Sequence, residues 1–196
     1  GGRGEVVYAL VNAKDIEALG LTGEIGVITG LGATKIHAIA HSMGNRLLSN
    51  ALERLQLEGL PESAARLRQI VFTAPDVDAE TFKQLAAAYE GKADQFTLYA
   101  SSRDFPLELS AFLHGGNRAG EADETDGGPV IVSPIETVDV SAIDTILAGL
   151  GHSYFGGNVR VIDDMIEVIN KGKRAVERGL TQIDVDGNRR YWQVIK

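Results

Sequence analysis

The sequence predicts an α/β fold, a mostly parallel sheet flanked by helices, and three observations predict it. Short apolar, partly β-branched runs alternate with stretches whose apolar residues recur at helical spacing. The chain has 196 residues, 44 % of them hydrophobic, which is enough to bury a substantial core as one domain, 1–196. Glycine stands at 23 of 196 residues with only five prolines, above the usual level of about 7 % for glycine, which suits many tight turns. An α+β arrangement is the alternative.

The elements follow in order. Residues 5–11 (EVVYALV) read as a strand, and residues 13–19 are helix-compatible up to Gly20. Residues 25–29 (IGVIT) are a strand or a connection, weakened by Gly26, Gly30 and Gly32. The clear pattern begins with a strand over residues 35–40 (KIHAIA). A helix follows in which Leu47, Leu48, Ala51, Leu52 and Leu55 share a face until Gly59 and Pro61. A second unit comprises a strand over 67–73 (LRQIVFT), the turn Pro75-Asp76-Val77-Asp78 and a helix over 79–89 stopped by Gly91. The third is a strand over 96–100 (FTLYA), the turn Ser101-Ser102-Arg103-Asp104 and a helix over 106–113 with Pro106 in its first turn. Residues 114–129 hold five glycines in 16 positions and little that could enter a core, so they read as a long, mobile surface loop. Strand-like pieces at 130–133 and 136–140 flank Pro134, and a short helix over 141–150 with Ser141 as its cap leads to the loop Gly151-His152-Ser153-Tyr154-Phe155. Residues 161–169 form an amphipathic helix, and 181–195 a hairpin around Asp186-Gly187.

Composition removes whole classes of function. A formal net charge of −8 disfavours a general grip on nucleic acid or anionic membranes. The absence of cysteine excludes thiolate catalysis, thiolate metal sites and disulfides. No apolar run approaches the roughly 20 residues of a membrane helix, and GGRGE does not open a signal peptide, so a soluble, cytoplasmic protein is expected.

The chemistry concentrates at AHSMGN. Ser42 stands at the junction of strand and helix with Ala40 and Gly44 two residues to either side, nearly the G-x-S-x-G elbow that lifts a serine hydroxyl above a sheet. Small residues are required because strand and helix backbones approach closely there. The helix start aims the Met43 N–H at the place where an oxyanion would develop. A bland reading makes Ser42 a helix cap, but its place between this strand and this helix favours a nucleophile.

A serine nucleophile needs a base, and the base an orienting acid. Of the four histidines, His41 adjoins Ser42 on the wrong side and orients the turn or lines the pocket. His37 reads as a packed strand residue, His114 as a weak candidate, and His152, in a loop that can reach back over the sheet, as the base. The acid is Asp104 or its rival Asp76, both in turns at the carboxyl edge where such sheets keep their sites. No cofactor or metal is called for. Glycines 26, 30 and 32 lack the spacing of a nucleotide loop, and Glu121, Asp123, Glu124 and Asp126 match no calcium-loop order. Lys171, Lys173, Arg174 and Arg178 form a modest basic patch at a helix end, and Tyr191 and Trp192 read as hairpin packing.

The elbow together with VFTAPDVDAETF, TLYASSRDFPLELS and GHSYF resembles a bacterial α/β-hydrolase family formerly catalogued as a domain of unknown function and related to serine esterases and lipases. The resemblance spans residues 35–169. It implies Ser42 as nucleophile, Asp104 as acid and His152 as base, and a serine carboxylesterase acting on small or short-acyl esters. A degenerate hydrolase fold serving as a binding or assembly module is the alternative, and an acyltransferase or amidase using the same residues a third. Only 41 residues precede Ser42, where such hydrolases run several strands and an HG segment with a second oxyanion donor, so the N-terminal portion reads as shortened or divergent. Amides at residues 30–32 or near Asn12 are the substitute donors, and an exposed sheet edge would invite homodimerisation.

Overall fold

The computed structural model describes residues 6–11, 35–58, 66–122, 128–143 and 158–195. The expectations for residues 13–32, 144–150 and the loop carrying His152 lie outside them. Strands β1 (Val6–Val11), β2 (Lys35–His41), β3 (Arg66–Thr73), β4 (Gln95–Ala100), β5 (Ile135–Asp139), β6 (Thr181–Asp186) and β7 (Arg189–Gln193) form one seven-stranded sheet in the order β1-β2-β3-β4-β5-β7-β6. All neighbours are parallel except the β6–β7 hairpin. The mostly parallel α/β sheet expected from the alternating pattern is therefore what forms.

Helices α1 (Gly44–Glu58), α2 (Ala79–Ala86), α3 (Phe105–His114) and α4 (Val159–Lys171) flank it. Three have side-chain caps: Asp78 accepts from Thr81 N, Asp104 from Leu107 N, and Asn158 from Arg160 N. Helix α4 ends at Gly172, whose left-handed φ of 63° lets its N–H return to the last turn.

Both faces of the sheet are covered, so central strands bury side chains in both directions. From β3, Ile70 and Phe72 point into one core and Val71 into the other; from β4, Phe96 and Leu98 enter the first and Tyr99 the second. The first core is built on an aromatic stack: Phe82 meets Phe72 edge-on at 5.2 Å, and Tyr89 lies between Phe72 and Phe96 at 5.8 and 5.6 Å. The second takes Val161, Met165 and Val168 from the inward face of α4. A buried polar network crosses this second interface. Tyr99 OH donates to Asp164 Oδ2 at 2.6 Å, and Arg178 Nη1 reaches the same oxygen at 2.5 Å. Burial pushes both the Tyr99 hydroxyl and the Asp164 carboxyl up.

Four expectations are corrected. Residues 130–133 are not a strand, since the chain enters the sheet only at Ile135. Helix α2 stops at Ala86, three residues early, and the turns that follow swing Tyr89 into the aromatic stack. The stretch after α3 is not a featureless surface loop, because Arg118, Ala119, Gly120 and Ala122 are buried and Ala119 belongs to the first core. Backbone bonds explain this: Ala119 N donates to Val77 O, Gly120 N to Pro75 O, and Ser101 N to Gly120 O. The basic patch is neutralised, with Lys171 and Lys173 on Glu167, Arg174 on Glu136, and Arg178 buried between Asp164 and Glu136. Tyr191 is buried and Trp192 packs on the second core, as hairpin packing requires.

Two predictions follow from this packing. A Cβ on Gly120 would lie 2.7 Å from Ala74 C and 2.8 Å from Pro75 N, backbone atoms that cannot step aside. Gly120→Ala is therefore expected to destabilise the fold by about 1–3 kcal/mol, read by denaturant unfolding; no change in midpoint would contradict this close approach. His37 is buried in β2, and desolvation, then Arg68 and Lys35, lower its pKa below the ordinary 6.5. Below that value the unfolded chain takes up a proton that folded His37 resists, so its contribution is present above pH 6.5 and is lost as pH falls. His37→Gln should lose less stability between about pH 7.5 and 5 than the parent chain in urea unfolding. Equal losses would refute it.

Candidate active site

Parallel pairing brings the ends of β2, β3, β4 and β5 to one edge, with His41 opposite Thr73 and Ala100 opposite Asp139. Ser42 follows β2 there with a φ of 53°, in the left-handed region. A serine gains nothing from that conformation by itself, which costs about 1–2 kcal/mol. It is held by its surroundings. Ser42 N donates to Thr73 O at 3.1 Å, while Ser42 O accepts from Asn45 N at 3.1 Å and Asp76 N at 3.3 Å. The fully buried Asn45 side chain adds bonds to Ser42 O at 2.9 Å and Thr73 O at 3.1 Å.

The small residues on either side of Ser42 are both buried. Ala40 is fully buried and its carbonyl accepts from Thr73 Oγ1 at 2.9 Å, and Gly44 is buried at the start of α1. Met43 lies just before α1 with its residue 48 % exposed, and His41 is half-buried at the end of β2. His37 is buried within β2, away from this edge, and His114 ends α3.

Asp104 is fully buried in the turn after β4, where Oδ1 accepts from Leu107 N at 3.1 Å. Its turn is braced on both sides. Ser101 N reaches Gly120 O, and Ser102 N reaches Ser141 Oγ at 2.8 Å. Ser141 is in turn tied to Asp139, whose other oxygen accepts from Gln193 of β7 at 2.9 Å.

Asp76 has different surroundings. Its carboxylate accepts from Ser110 Oγ at 2.7 Å and Arg46 Nη2 at 3.2 Å, and Arg118 Nε stands 3.4 Å away. Ser42, Asp104 and Asp76 thus stand on one edge, Ser42 and Asp104 two strands apart; His152 lies outside the described residues.

Asn45, Arg46, Ser110 and Arg118 escaped the sequence reading. A polar residue three places after the elbow serine was a signal for Asn45; no spacing marked the others, which meet only in space. A cavity of about 630 Å³ opens beside the acid turn, lined by Ser101, Ser102, Asp78, Arg118 and Glu121 among others, but neither Ser42 nor Asp104 lines it. Among the described residues, no group of three His, Asp or Glu side chains could hold a metal ion, and no helix is long and apolar enough to cross a membrane.

Neither the curated proteins nor the solved structures yield a match to the chain. Residues 25–171 match the family described as "Alpha/beta hydrolase of unknown function (DUF900)", a span that takes in β2 to β5, the elbow, both acidic turns and α4. With a left-handed strand-to-helix turn at Ser42 on the carboxyl edge of a mostly parallel sheet, the chain belongs to this family of α/β hydrolases of unknown function.

Proposed function

We propose that this chain is a serine carboxylesterase that hydrolyses small or short-acyl esters through Ser42, His152 and Asp104. The observation that carries the reading is the left-handed backbone of Ser42 at the β2–α1 junction. A helix cap needs no such conformation, since capping residues take extended backbone, whereas a serine lifted above a sheet edge does. Backbone outliers of this kind persist where the surrounding structure over-determines them and collect at reactive positions.

Ser42 Oγ attacks the ester carbonyl carbon while His152 takes its proton, and the developing oxyanion is met by the Met43 N–H. Collapse of the tetrahedral adduct breaks the bond to the alcohol, which leaves with the proton that His152 returns. Water then repeats the sequence on the acyl-enzyme, with His152 as base, and frees the carboxylic acid and the serine. Asp104 holds the imidazole tautomer and stabilises its positive form. Its burial and its fixed cap bond suit a carboxylate that must not wander. Asp76 suits the role less well, because both its carboxylate oxygens are already engaged, one by Arg46 and the other by Ser110 and Arg118.

Two outcomes test this reading. A fluorophosphonate probe should add its mass to Ser42 of the full chain, Ser42→Ala should abolish the addition, and short-chain aryl esters should turn over between about pH 7 and 9. No labelling together with no turnover would sink the esterase and leave a non-catalytic binding module. Asp104→Asn should keep the fold, since asparagine caps a helix as well as aspartate does, while kcat falls by about 10³–10⁴. Activity retained within about tenfold would remove Asp104 from the triad.

A further inference from the structure

We propose that Asp76 is a positioning residue whose carboxylate locks the turn after β3 onto α1 and α3, and so holds Ser42 in its left-handed conformation. The inference rests on Ser42 being the nucleophile, but its structural half can be tested without that.

Asp76 touches the elbow through its backbone and the rest of the edge through its side chain. Its N–H reaches Ser42 O at 3.3 Å, a long bond that a shift of a few tenths of an ångström would break. Two residues earlier in the turn, Ala74 is also left-handed, with a φ of 43°. A turn containing such a residue does not hold its shape unaided. The Arg46 guanidinium, one turn into α1, grips Asp76 twice, Nε on the backbone carbonyl at 2.7 Å and Nη2 on Oδ2 at 3.2 Å. One planar fork thereby sets both backbone and carboxylate relative to the helix that begins at the elbow.

The other carboxylate oxygen, Oδ1, meets α3 and Arg118. Ser110 Oγ of α3, the helix capped by Asp104, donates to it at 2.7 Å, and Arg118 Nε stands 3.4 Å from it. Arg118 also donates through Nη2 to Ser110 O at 3.3 Å. Asp76 is 8 % exposed and Arg118 5 %. At that burial water cannot replace Arg118 beside Asp76, whereas the Arg46 side chain is 41 % exposed and fixes the turn by the geometry of its two bonds rather than by burial. One carboxylate thus ties together the serine helix, the acid helix and the segment at Gly120.

The test compares the full chain with Asp76→Asn, which keeps the shape and removes the charge. Amide hydrogen exchange over residues 42–46 and fluorophosphonate labelling of Ser42 are followed between about pH 6 and 9, with near-UV circular dichroism confirming the fold. Exchange over 42–46 should accelerate at least about tenfold, and labelling should slow by about 10- to 100-fold at every pH with its pH midpoint unmoved. Unchanged exchange would overturn the proposal by making Asp76 a bystander. A moved midpoint with a loss near 10⁴ would overturn it by making Asp76 the triad acid. Should the parent chain not label, the nucleophile reading fails, and the exchange comparison still decides whether Asp76 clamps the elbow. Should Asp76→Asn not fold, Ser110→Ala removes only one bond to the carboxylate; faster exchange over 42–46 supports the clamp, and parental exchange refutes it.

Discussion

The backbone of Ser42 is the constraint on which the carboxyl edge of the sheet depends. The chain leaves β2 and enters α1 with only Ser42 and Met43 between them, and it can turn so sharply only if a residue takes the left-handed region. Serine has a Cβ and does not prefer that region. The cost, about 1–2 kcal/mol, is met by hydrogen bonds each of about 1 kcal/mol, one donated by Ser42 N to Thr73 O and others accepted by Ser42 O from Asp76 and Asn45. The bonds to Thr73 and Asp76 exist only when β3 lies beside β2 in the observed register, with Thr73 opposite His41, whereas the Asn45 bonds to Ser42 O are made within the turn itself. Elbow geometry is therefore shared between Asn45, inside AHSMGN, and the neighbouring strand that the assembled sheet supplies.

The same dependence runs along the edge. The turn after β3 is pinned by Gly120, which admits Ala74 and Pro75 because it lacks a side chain. The turn after β4 is held between Gly120 and Ser141, and Ser141 is fixed by Asp139, which the hairpin strand β7 secures through Gln193. Strands whose residues are far apart in the chain thus share responsibility for the placement of Ser42 and Asp104. In the other core, the Tyr99–Asp164–Arg178 network fastens α4 to β4, so the helix that follows the His152 segment is anchored to the same sheet.

Much of this was legible beforehand, for identifiable reasons. Strands β2, β3 and β4 are covered on both faces and so appear as short continuous apolar runs, and α1, α2 and α4 carry one apolar stripe each. The strand-to-helix turn at Ser42 was visible because small residues stand at fixed spacing around it. The stretch after α3 was misread because its buried residues are alanine, glycine and arginine, whose composition looks solvated; backbone bonds and close approach, not hydrophobicity, draw them in. Arg178 was misread for a related reason. A basic residue in a basic cluster looks exposed until Asp164 and Glu136 are brought around it.

The sequence by itself determined the class of fold, the strand-to-helix junction at Ser42 and the two turns that carry Asp76 and Asp104, because periodicity and turn chemistry are local. What only the tertiary structure decided was the environment of each acid. Asp76 and Asp104 each follow a strand and precede a helix, and nothing within their own turns says that one meets two guanidiniums while the other is buried at a helix start. Arg46 and Arg118 lie 30 and 42 positions from Asp76, and only the parallel sheet brings α1, α3 and the segment at Gly120 to a single carboxylate. Charge neutralisation is set by distance in space, and a linear chain carries that information only once it has folded.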